Sequence, residues 1–154
     1  MTNDKQELLR AAIAAIRNCA DAMEAQATGL LASLPAEAIS EALRANALQL
    51  TAGLKDASGR VTFELALLQT ELAANEAVAA TVVKRLSAMD ATMMSALAAM
   101  TDVVDQLEEA AERDERHEPA FVLVIEATGV LLQALEKARA ATEALVAAMR
   151  VIPS

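Results

Sequence analysis

The sequence predicts an all-α protein, an elongated antiparallel helical bundle built on one long central helix, and three observations carry that expectation. First, from Val61 to Ala110 an apolar residue recurs at alternating steps of four and three: Val61, Leu65, Leu68, Leu72, then Ala79, Val82, Leu86, Met89, Met93, Ala96, Met100, Val103, Leu107 and Ala110. Only Asn75 breaks that series, and neither Gly nor Pro interrupts it. Such spacing is one face of a helix; about 50 residues at 1.5 Å each would span about 75 Å. Second, no stretch alternates at period two, the signature of a half-buried strand. Third, alanine fills 38 of the 154 positions, favouring helices that pack closely side by side.

The first helix, about 3 to 34, has Asn3 as a candidate cap with Gln6 three residues on, and a seam through Leu9, Ile13, Ile16, Ala20, Met23, Ala27, Leu30 and Leu34. Pro35 ends it, because the residue before a proline is pushed out of the helical region. A second helix, about 36 to 57, carries Ile39, Leu43, Ala47, Leu50 and Leu54, and Asp56-Ala57-Ser58-Gly59 reads as a stop and a fresh start. The central helix then runs from about 60 to 116. After His117-Glu118-Pro119 a fourth helix, about 119 to 150, has the line Phe121, Val124, Thr128, Leu131, Leu135, Ala138, Thr142, Leu145, Met149. Short turns make neighbours antiparallel. The chain thus reads as one domain over 1–154, with a three-helix part, 1–83, and a C-terminal hairpin, 84–154.

That hairpin would leave Val122, Leu123, Ile125, Val130 and Leu132 in water. At roughly 1.5 to 3 kcal/mol per buried large aliphatic side chain, five of them forgo on the order of 10 kcal/mol, comparable to a domain's whole stability. Two arrangements recover it. In one, two copies pair their hairpins, with Phe121, Leu123, Ile125, Val130, Leu132, Met93 and Met100 as candidate interface residues. In the other, the long helix breaks within Lys84 to Asp90, near Ser87, and a compact four- or five-helix bundle forms.

Composition narrows function mostly by exclusion. Tyr and Trp are absent and Phe63 and Phe121 are the only aromatics, which argues against nucleotide or sugar sites and against single-stranded nucleic acid. A formal charge of −9 disfavours direct nucleic-acid binding. Eight acids and two bases fall within residues 102–118, and Asp105, Glu108, Glu112 and Glu115 share one helix face. That face could meet a partner's basic surface or a divalent cation; the plainer reading is a solvated tip stitched by Glu109–Arg113 and Glu112–Arg116. Asn75 on an apolar seam could fix register or partner choice, or reach water through loose packing. Met89, Met93, Met94 and Met100 read as core stripe or adaptable docking face. His117, the only histidine, reads as a turn residue, and Asp114-x-x-His117 lacks the inward Glu residues of a di-iron bundle. Cys19, the only cysteine, reads as a small hydrophobe and excludes an intrachain disulfide.

No metal-spaced ligand set, phosphate loop or nucleophile elbow occurs, so neither cofactor nor catalytic site is expected. The leading expectation is a non-enzymatic interaction module: an adaptor, chaperone, inhibitor or immunity-type protein that self-associates as a homodimer. A second is an amphipathic coat on a hydrophobic particle or polymer, as phasin-type granule proteins are; a third is a metal-binding or catalytic bundle. No signal peptide is evident, and the most apolar window, 120–135, falls short of the ~20 residues that span a bilayer, so no transmembrane segment and a cytoplasmic location are expected.

Overall fold

The computed structural model describes residues 3–74 and 78–150; Asn75, the candidate register residue, lies outside them. Four helices follow in order: α1 (Asn3–Ser33), α2 (Glu41–Ala73), α3 (Ala79–Arg113) and α4 (Glu118–Arg150), and no strand occurs among the described residues. Their lengths, 31, 33, 35 and 33 residues, are nearly equal. Each packs on two neighbours, α1 on α2, α2 on α3, α3 on α4 and α4 back on α1, which closes an antiparallel four-helix ring.

The helical class is as the sequence predicts, but the single central helix of 60–116 is not formed. Its first quarter belongs to α2, which runs unbroken through Asp56-Ala57-Ser58-Gly59, and residues 79–113 form α3. The physical reason is visible in the packing. Leu50, Leu54, Ala57, Val61, Leu65 and Leu68 are all buried in α2, a seam that continues through Ala57 without a change of phase. Nor does the chain break near Ser87. Ser87 sits inside α3, and Asp90 pairs across to Arg139 of α4 at 3.0 Å instead of capping a new helix.

The second helix also starts later than 36. Pro35 opens a turn in which the Ala38 N–H donates to the Pro35 carbonyl at 3.0 Å, and the Ser40 hydroxyl then caps α2 by accepting from the Leu43 N–H at 3.1 Å. At the far end, α2 closes on Ala74 and α3 opens on Val78, which supplies no side-chain cap.

One core runs the length of the ring, built from the predicted seams plus Ala12, Cys19 and Ala57. Every helix contact also carries a polar bond that fixes its register. The Ser58 hydroxyl of α2 donates to the Ala20 carbonyl of α1 at 2.8 Å, and Arg85 of α3 reaches Glu64 of α2 at 3.1 Å and also binds Glu71. Arg139 ties α4 to α3, and the Gln26 amide of α1 donates to the Thr128 hydroxyl of α4 at 2.9 Å. Thr128 and Thr142, on the apolar line of α4, satisfy their buried hydroxyls by donating to the carbonyls of Val124 and Ala138 one turn back.

Candidate interaction surface

Closing the ring redistributes the candidate interface residues. Phe121, Met93 and Met100 are fully buried in the chain's own core and present nothing to a partner in this fold. Ile125 and Leu132 are half-buried against that core. Leu123 and Val130 remain outside, each 67% exposed, with Val122 beside them. Hence the surplus apolar surface expected of α4 is cut to its outer side, where Leu123 and Val130 stand two turns apart on one face.

Next to them a groove of about 590 Å³ lies between α1 and α4. Its α1 wall is made of small residues, Ala22, Ala25, Gly29 and Ser33, and its α4 wall of Ala120, Leu123, Ala127 and Val130; no charged side chain lines it. A Cβ at Gly29 would meet nothing within 4 Å, so the hollow there is open space. The α1 wall is not legible as a surface from sequence, because Ala and Gly on a helix read only as helix propensity.

α4 has a further property that the 120–135 window understates. Among the described residues it is the one helix long and apolar enough to cross a membrane by length and composition, with a mean hydropathy of 1.5 over 18 residues. Only 28% of that window is buried inside the bundle.

The acidic residues lie where the turns gather. Asp105, Glu108 and Glu112 are exposed on α3, whereas Glu115 falls in the turn beyond its last residue, Arg113. The helix therefore ends before Glu112 and Arg116 can pair as i,i+4 neighbours, while Glu109 and Arg113 approach to 4.0 Å. Asp105 also edges a second, larger groove of about 830 Å³ between α2 and α3, whose rim is polar. There Asp56 is taken by Arg60 at 2.9 Å, and the Asn46 amide donates to Gln106 at 3.0 Å. No group of three His, Cys, Asp or Glu side chains among the described residues is arranged to hold a metal ion.

His117 is placed more definitely than a solvated turn residue. Its Nδ1 lies 2.8 Å from Asp114 and its Nε2 3.4 Å from Glu37, so the imidazole joins the α3–α4 turn to the α1–α2 turn at one end of the bundle. The hydrogen bond from His117 holds the Asp114 carboxyl below its ordinary range, and the Glu37 carboxyl is lowered by a bond to its own backbone N–H and by His117. Cys19 is fully buried, and burial pushes its thiol up to about 11. Met89 joins the core while Met94 is 49% exposed, so the methionine cluster is mainly packing.

Compared with protein-family models, with curated proteins and with solved structures, the chain finds no match.

Proposed function

We propose that the protein is a non-enzymatic interaction module that self-associates as a homodimer through the outer side of α4. The observation that carries this reading is the pair Leu123 and Val130, each 67% exposed beside an uncharged groove, in a chain whose other large aliphatics mostly lie in the core. Contiguous apolar surface of this kind marks interaction sites. The lone histidine, the one side chain suited to proton transfer near neutrality, is engaged with two carboxylates instead of a nucleophile. The exposed acids Asp105, Glu108 and Glu112 suit a further protein partner with a basic surface.

Sedimentation equilibrium at micromolar concentration tests the reading. The wild type is expected at twice the 16.1 kDa chain mass, and Leu123→Glu at the mass of one chain with unchanged helicity. A wild type that stays monomeric across the accessible concentration range refutes it.

One observation favours a second reading, a coat on a hydrophobic particle or polymer: most of the apolar window of α4 is not buried in the bundle. Flotation with neutral-lipid droplets separates the two. A coat protein leaves water for the droplet surface, whereas a dimer whose apolar faces are already paired stays in solution.

A further inference from the structure

The exposed side of α4 carries a second, outward line at steps of three and four: Leu123, Glu126, Val130, Gln133, Lys137, Ala140. All six are exposed, and among the described residues neither Glu126 nor Lys137 has an ion-pair partner within the chain. The line is symmetric about a point between Leu131 and Leu132. Val130 and Gln133 are equidistant from it, as are Glu126 and Lys137, and Leu123 and Ala140. Glu126 and Lys137, eleven residues or about 16 Å apart, stand on the same face because eleven residues close three turns.

Those charges select the occupant of the face. A lipid or polymer surface would have to strip water from Glu126 and Lys137 and give neither a partner, which is costly. A second copy laid parallel would set Glu126 against Glu126 and Lys137 against Lys137. A second copy laid antiparallel sets each Glu126 against the partner's Lys137, and a twofold contact makes every such pair occur twice. The same antiparallel register brings Leu123 beside the partner's Ala140, a large side chain against a small one, and Val130 beside the methylenes of the partner's Gln133. At the N-terminal end of the line, where Leu123 and Val130 edge the groove, the α1 wall of Ala22, Ala25 and Gly29 sets no bulky side chain beside it.

We propose that α4 pairs with α4 of a second copy, antiparallel about a twofold axis between Leu131 and Leu132, with Glu126 of each chain against the partner's Lys137. The pairing rests on the self-association proposed above and specifies its orientation and register.

Charge exchange read by sedimentation equilibrium tests it. Glu126→Lys alone and Lys137→Glu alone each replace two attractive pairs by two repulsive ones, and each is expected to raise the dimer dissociation constant about tenfold at low salt. The double variant, and an equimolar mixture of the two single variants, restore opposite charges at both contacts and should dimerise like the wild type; the mixture should form heterodimers. Because both residues are exposed, circular dichroism should show every variant fully helical. If Leu123→Glu abolishes the dimer while the single charge variants leave it intact, self-association stands and this pairing is overturned. If the charge variants weaken the dimer but the mixture fails to recover it, the register is overturned. A monomeric wild type overturns both.

Discussion

Gly53 and Gly59 distinguish two folds by the sign of one stability change. Both lie inside α2 on its exposed side, and a Cβ at either would meet nothing within 4 Å. Glycine in a helix interior costs about 0.5–1 kcal/mol relative to alanine, mainly through the freedom it loses on folding. The sites are six residues apart, about 9 Å along the axis, so their effects should add. Gly53→Ala with Gly59→Ala is therefore expected to stabilise the protein by about 1–2 kcal/mol. For a domain of this length each kcal/mol moves the melting temperature by roughly 2–4 °C, giving a rise of about 2–8 °C. If residues 56–59 instead formed a turn, with Gly59 in a left-handed conformation, alanine there would cost about 1–2 kcal/mol. Thermal and urea unfolding followed by circular dichroism at 222 nm reads the sign directly. A lowered melting temperature in the double variant would refute the continuous α2.

Two further outcomes follow from the buried groups. Cys19 is fully buried with its thiol raised to about 11, so Ellman's reagent at pH 8 should leave it unmodified in the native protein and react within seconds in guanidinium; rapid native labelling would contradict its place in the core. Glu71 is held below the ordinary carboxylate range, first by the hydrogen bond from Arg85. A carboxyl depressed in the folded state adds stability that is present above its unfolded value and lost as pH falls through its folded one. Glu71→Gln should therefore lower the urea midpoint at pH 7, with the difference from wild type shrinking as pH falls below the ordinary glutamate range; a difference that persists in strong acid would refute the Arg85 contact.

Most of the core was legible because it follows from side-chain period alone. Leu9, Ile16, Met23, Leu43, Leu54, Val82, Leu107, Leu131 and Leu145 are buried where their seams place them. Chain reversal was not legible, for a definable reason. The sequence between α2 and α3 has no proline or glycine, Val78 supplies no capping side chain, and the seams of the two helices happen to share a heptad phase. Asn75, the one departure from that phase, lies outside the described residues. Conversely, Asp56-Ala57-Ser58-Gly59 has the composition of a turn yet lies within a helix, because Ala57 keeps the seam continuous and Ser58 bonds to the Ala20 carbonyl of α1. On the candidate surface, period and hydrophobicity found Leu123 and Val130. They also placed Phe121, Met93 and Met100 there, since three-residue and four-residue steps on α3 and α4 do not say which side the neighbouring helices will cover.

Spin labels placed one at a time on α4 test the self-pairing most directly. In a Cys19→Ala background, Gln133→Cys and Ala144→Cys both put the label at an exposed position. Antiparallel pairing about a point between Leu131 and Leu132 brings the two copies of position 133 to within about 10 Å of each other and sets the two copies of position 144 about 38 Å apart, from the helical rise and the spacing of packed helices. Antiparallel pairing should give strong dipolar broadening for the label at 133 and a distance distribution centred near 38 Å for the label at 144. Equal short distances at both positions, as a parallel pair would give, or no intermolecular coupling at either, would contradict it.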